Sequence, residues 1–91
     1  MLTRFEWDAA KAASNLRKHG VSFEQAAKVF DDPYLLEAPQ ADDFEERWKA
    51  VGRAGQKVLV VVYTERGAKL RIISAREADK REQKTYFQNV R

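Results

Sequence analysis

The sequence predicts an α+β fold: two N-terminal helices packed on a small twisted antiparallel β-sheet, with a C-terminal helix closing the chain. Three observations carry that prediction. Between Ala9 and Phe30 the apolar residues recur at helical spacing. Between Glu46 and Ala75 the period changes to two, around the β-branched run Val58-Leu59-Val60-Val61-Val62. From Glu77 to Arg91 the chain is charged and helix-prone, with Tyr86, Phe87 and Val90 as its few apolar anchors.

Thr3 to Trp7 alternates and reads as a short edge strand. Asp8 is suited to N-cap a helix through His19, because its carboxylate accepts the orphan N–H groups of the first turn. Ala9, Ala12, Ala13 and Leu16 fall on one face of that helix. Arg17, Lys18 and His19 sit in the last turn, favourable against the carbonyl end, and Gly20 supplies a left-handed stop. Ser22 with Gln25 predicts a capping box at the start of a second helix. Phe23, Ala26, Ala27 and Phe30 form its stripe, and Asp31-Asp32-Pro33 ends it, since a residue before proline avoids helical angles. Tyr34 to Glu37 is expected as a short strand and Ala38 to Glu45, polar and containing Pro39, as a loop. Strands are then expected over Glu46–Arg53, Lys57–Thr64 and Lys69–Ala75, joined by turns at Ala54-Gly55-Gln56 and Glu65-Arg66-Gly67-Ala68. Three strands in such close succession predict an antiparallel meander.

Composition narrows the function. The chain has 91 residues, 44% of them hydrophobic, enough for one compact core and hence a single domain over residues 1–91. With no cysteine and one histidine, disulfides, thiolate zinc sites, thiol nucleophiles and histidine-rich metal centres are excluded. No glycine-rich phosphate loop is present, and no cofactor is expected. No apolar run approaches the roughly 20 residues needed to span a membrane. Met1 to Asp8 carries Arg4, Glu6 and Asp8, unlike a signal peptide, so a soluble cytoplasmic protein is expected. The net charge is +3, but it is divided unevenly: residues 1–45 carry −4 and residues 46–91 carry +7. The second half is therefore expected to build either a basic surface for a polyanion or a solvated basic face.

Several motifs in order give the chain a family likeness. Phe5-Glu6-Trp7-Asp8, Lys11, Asn15, Lys18-His19-Gly20-Val21-Ser22-Phe23-Glu24 and Val29-Phe30-Asp31-Asp32-Pro33 resemble the BrnT family of bacterial type II toxins. Glu46-Arg47, Val60-Val61-Val62, Thr64 with Arg66, and Arg71-Ile72-Ile73-Ser74-Ala75-Arg76 agree, so the likeness runs from Phe5 to about Tyr86. The resemblance implies a RelE-like fold and a ribonuclease that stops translation by cutting RNA. It also implies a cognate ribbon-helix-helix antitoxin, the pair binding operator DNA.

A metal-free ribonuclease needs a group to take the 2′-hydroxyl proton, one to protonate the leaving oxygen, and fixed positive charge on the phosphoryl oxygens. Arginine suits the last role because its fork matches two phosphate oxygens. The candidate cluster is Arg47, Lys49 and Arg53 on the first meander strand, Arg66 at the turn, and Arg71 and Arg76 on the third strand. The family likeness favours Arg47, Arg66 and Arg76, while Lys49, Arg53 and Arg71 suit RNA binding. Strict alternation puts Lys69, Arg71, Ile73 and Ala75 on one face and Arg76 on the other. The competing reading of this row is a solvated sheet face.

His19 has the chemistry of a general base but stands at a helix C-terminus, where a cation is stabilised and a phosphate is not. It is therefore either a cap or a catalyst, and Lys18 shares that ambiguity. Tyr86 is either a core anchor or a proton donor, and Glu46 either a base or an ion-pair partner. Trp7 and Trp48 suit packing, with base stacking as the other use. The enzyme reading competes with a non-catalytic module that binds an antitoxin and acts on operator DNA through it.

Overall fold

In the computed structural model, residues 4–90 are described. Thr3, at the start of the expected first strand, and Arg91, at the end of the expected last helix, lie outside the described residues, as does Met1-Leu2. Strand β1 spans Arg4–Glu6, helix α1 Ala9–His19 and helix α2 Phe23–Ala27, which runs on into a 3₁₀ turn over Lys28–Asp31. Strands β2 (Leu36–Gln40), β3 (Arg47–Ala54), β4 (Lys57–Arg66) and β5 (Lys69–Glu77) follow, and helix α3 covers Lys80–Asn89. The sheet has the order β1-β5-β4-β3-β2. It is mixed rather than wholly antiparallel, because β1 pairs with β5 in parallel, Phe5 opposite Leu70.

The expected caps of α1 form, and at α2 the Ser22 half of the expected capping box forms. Asp8 accepts the Lys11 N–H, and Gly20 ends α1 at φ 69°, donating to the Leu16 carbonyl. Ser22 accepts the Gln25 N–H at 3.0 Å. The complete reciprocal box stands at α3, where Asp79 accepts from the Glu82 N–H and Glu82 accepts from the Asp79 N–H. The second helix is shorter than its periodicity predicts. Its last turn tightens to 3₁₀ as the chain approaches Pro33, and Asp32 N–H closes onto the Val29 carbonyl at 3.0 Å. Strand β2 takes in Ala38, Pro39 and Gln40, which were expected in a loop. Pro39 is tolerated because β2 is the sheet edge, where a missing N–H costs no ladder bond.

The apolar stripe expected on α1 is not the buried one. Leu16 is half-exposed, whereas Asn15 is buried. The reason is that α1 crosses β5 beyond the end of β1. There the Asn15 amide donates to the Val21 and Ala75 carbonyls and accepts the Ala75 N–H, at 2.8–3.0 Å. One polar side chain thus closes a length of sheet edge that β1 does not reach.

The sheet has two apolar faces. On the first, Phe23, Ala26 and Val29 pack against Ala50, Leu59, Val61, Ile72 and Ala75, with Trp7 and Trp48 partly buried at the margin. Both tryptophans therefore pack, Trp7 meeting Phe23 edge-on at 5.9 Å between centroids. On the second face, Tyr86 and Ala78 pack on Val51, Val58 and Val60. This second cluster is small and covers only part of its face. The valine strand β4 is covered on both sides in its middle, as its unbroken apolar run predicts.

Candidate active site

The open part of the second face is where the basic residues gather. Cross-strand register puts Lys49 opposite Val62, and Val62 opposite Ser74; one step along, Val60 lies opposite Arg76. Between Val62 and Tyr63 the register shifts, since Val62 pairs with Ser74 but Tyr63 with Ile72, leaving Ile73 without an opposite residue. This bulge reverses the parity of β5. Regular alternation separates Arg71 from Arg76, and the bulge returns them to one face, shared with Arg47 and Lys49.

A cleft of about 470 Å³ lies on that face, lined by His19, Gln40, Lys49, Val62, Ser74 and Arg76 among others. Five chain segments build it: the end of α1, the edge strand β2, and strands β3, β4 and β5. His19 reaches it because Asn15 anchors α1 across the β5 edge. A smaller depression beside it is lined by Lys11, Lys18 and His19 together with Ser74. His19 and Lys49 form no hydrogen bond or ion pair with any described residue, so both are available to a ligand.

Arg76 is held. Its two terminal nitrogens donate to the two carboxylate oxygens of Glu82 at 2.7 and 2.8 Å. The pair is mutually reinforcing: the hydrogen bond to Glu82 raises the Arg76 pKa against the opposing effect of burial. The bond from Arg76 holds Glu82 down at about 2, with burial opposing and the Asp79 N–H and the Arg76 and Lys49 charges assisting. Glu82 takes two of the five N–H donors of the guanidinium and the Glu77 carbonyl a third at 3.4 Å, which leaves two for a second anion.

The other sequence candidates are dispersed. Arg47 shares the face of Lys49 but is turned into the loop before β3, pairing with Asp42 at 3.2 Å and Glu45 at 2.9 Å. Arg71 pairs with Glu6 at 2.8 Å across the β1–β5 edge. Arg66 is exposed at the β4–β5 turn. Arg53 lies over the Phe87 ring, 5.6 Å from its centroid, at the far end of the sheet. The Glu46 side chain is exposed, and its backbone carbonyl accepts the Thr64 hydroxyl. It does not pair with Arg47, whose partners are Asp42 and Glu45.

Tyr86 is fully buried, so its hydroxyl is out of reach of any ligand in the cleft. That hydroxyl donates to Asp32, and burial together with this bond pushes its pKa up to about 12. Asp32 also accepts the Tyr34 and Arg53 N–H groups at 2.8 and 2.7 Å. Burial raises the Asp32 pKa, but these three bonds outweigh it and leave the carboxyl below its ordinary value. Tyr86 is thus the anchor of α3, and Asp32 is its socket.

Three polar residues of the cleft region escaped sequence reasoning. Gln40 and Ser74 carry no local signal, because only sheet pairing brings them to His19 and Lys49. Glu82 had one: Asp79-Lys80-Arg81-Glu82 is a capping pattern that places its carboxylate at the start of α3.

The arrangement offers fixed positive charge at Arg76 and Lys49 and an imidazole at His19, on a face with no covering element. A polyanion, and a phosphodiester in particular, fits that chemistry. Among the described residues, no helix is long and apolar enough to cross a membrane. No individual curated protein matches the chain significantly. A family model described as the ribonuclease toxin BrnT, of a type II toxin–antitoxin system, matches residues 7–82. That span contains the cleft and every residue that lines it, and the chain belongs to the BrnT family of ribonuclease toxins, whose members act on RNA and are paired with an antitoxin.

Proposed function

We propose that the cleft on the second sheet face is the catalytic centre of a metal-independent endoribonuclease, and that its cleavage of RNA inhibits translation. The observation that carries this reading is the meeting of His19, Lys49 and Arg76 in one cleft, from three distant stretches of chain. The RNA 2′-oxygen attacks the adjacent phosphorus, and the bond to the 5′-oxygen breaks. His19 takes the 2′-hydroxyl proton, since histidine exchanges protons near neutral pH. The departing 5′-oxygen takes its proton from solvent water, leaving a 2′,3′-cyclic phosphate and a 5′-hydroxyl. Lys49 and Arg76 stabilise the charge that grows on the phosphoryl oxygens, the largest contribution such a site makes. Arg47 and Arg71, on the same face, and Lys18 beside His19 extend the track for the RNA backbone. Arg66 and Arg53 stand outside it, and Glu46 has no part.

The proposal includes a ribbon-helix-helix antitoxin, binding of operator DNA by the pair, and kinship with the RelE-like toxins. Support comes from the family and from the basic face. Purified protein incubated with RNA should yield fragments ending in 2′,3′-cyclic phosphate, and Lys49→Ala and Arg76→Ala should abolish growth arrest in cells. Intact RNA at every dose, with operator DNA still bound by the toxin–antitoxin pair, would establish the non-catalytic module instead.

A further inference from the structure

Beside the cleft lies a second concavity of about 260 Å³, between the β2–β3 edge and the first turns of α3. Its walls differ in kind from those of the cleft. Leu36, Ala38 and Val51 give it an aliphatic part, Glu37 adds a carboxylate on the strand side, and Arg81, Glu82 and Thr85 stand on the helix side. Lys49 lines both concavities. The Arg76–Glu82 ion pair bridges them as well, with Arg76 facing the cleft and Glu82 the groove.

The geometry points to this groove as a nucleobase subsite, taking the base of a nucleotide whose phosphate lies against Lys49 and Arg76. This inference rests on the ribonuclease reading and adds to it where specificity resides. Three arguments carry it. The groove is continuous with the cationic cleft through Lys49, so a ligand that is charged at one end and apolar at the other fits the pair of concavities. A nucleotide is such a ligand, its phosphate and base being a fixed short distance apart. The volume is below that of a site for a drug-sized molecule and suits one planar ring system rather than a helix face. Polar side chains, those of Glu37, Lys49, Arg81, Glu82 and Thr85, line the groove alongside the aliphatic carbons, so the edge of a base finds hydrogen-bonding partners while its faces find apolar contact.

Ala38 makes the groove testable. It is exposed, on an edge strand, and opposite Lys49 in the register, so its side chain shares the face of Lys49. Ala38→Phe fills the groove from an exposed position on the sheet side, and Thr85→Trp fills it from the helix side. The probe is a set of uncleavable single-stranded 2′-deoxy tetranucleotides, one intact and the others each lacking the base at one position, with affinity read by fluorescence anisotropy.

For the parent protein, removal of one particular base should weaken binding about tenfold, equivalent to about 1.4 kcal/mol. Ala38→Phe and Thr85→Trp should bind the intact oligonucleotide about tenfold more weakly, yet bind that one abasic oligonucleotide as the parent does. Circular dichroism melts like the parent's would accompany this result. Equal affinity of the parent for all the oligonucleotides would overturn the subsite while leaving the ribonuclease reading standing. So would undiminished binding of the intact oligonucleotide by either filled variant, leaving the groove to a protein partner. Failure of the parent to bind any oligonucleotide would overturn the ribonuclease reading, and the subsite with it.

Discussion

Replacing Glu82 by Gln removes the charge of the Arg76–Glu82 pair and one of its two hydrogen bonds, since a side-chain amide has a single acceptor oxygen. Glutamine retains the length of the side chain and still serves at the third position of a capping box, so α3 remains capped. What is lost is the charge, together with one of the two bonds from Arg76. The Glu82 carboxyl titrates at about 2 instead of 4.5, chiefly because of the hydrogen bond from Arg76. Each pKa unit is worth about 1.4 kcal/mol, so the whole shift corresponds to about 3 kcal/mol. Arg76 has a side chain 43% exposed, and water screens the pair, which reduces the expected contribution to about 1–2 kcal/mol. The folded-state pKa is depressed, so this stability is present above pH 4.5 and is lost as the pH falls towards 2. Urea unfolding at pH 7 should therefore show Glu82→Gln less stable by about 1–2 kcal/mol, a fall in Tm of about 4–16 °C. Near pH 2 the two proteins should converge. A deficit that stays constant over this range would refute the charge argument, and no deficit at pH 7 would show the pair to be energetically idle.

Tyr86→Phe removes the donor to Asp32 and leaves the ring, so it should cost about 1–3 kcal/mol in chemical denaturation. It should leave RNA cleavage by the folded protein unchanged, because the hydroxyl does not reach the cleft. Asn15→Ala removes the side-chain partner of the Ala75 N–H and carbonyl on the β5 edge and of the Val21 carbonyl after α1. About 2–4 kcal/mol of stability should go, and cleavage should fall too, because α1 carries His19. Lys49→Ala should flatten the salt dependence of RNA binding by about 0.7 in the logarithmic slope, the share of one phosphate contact on a single strand.

The parts of this molecule legible in its sequence are those decided within a few residues. Asp8, Ser22 and Gly20 act on backbone groups of the adjacent turn, and each does in the fold what its type and position predict. The run from Val58 to Val62 announces a central strand because every position is apolar and most are β-branched. What was hidden depends on distant pairing. Nothing local says that Arg4–Glu6 pairs in parallel with a strand some sixty-five residues away, or that Pro39 belongs to an edge where a proline is harmless. The bulge at Ile73 matters most for the site. Strict alternation separates Arg71 from Arg76, and one unpaired residue brings them together on the face of Lys49. Tyr86 could be read as core or as catalyst until Asp32, more than fifty residues earlier, proved to be its socket. His19 was likewise undecided: it is a helix-terminal residue and it also lines the cleft, because Asn15 carries the helix end past the sheet edge.

On the proposed reading, Lys49 and Arg76 supply the positive charge on which RNA cleavage depends. Single-turnover cleavage of one defined RNA by the parent, Lys49→Ala, Arg76→Ala and the double variant tests it most directly, with a thermal melt of each. Each single variant should cleave about 10²–10³-fold more slowly, the loss typical of removing one preorganised transition-state contact, and should fold as the parent does. Cleavage by the folded double variant at the parent's rate would contradict the claim.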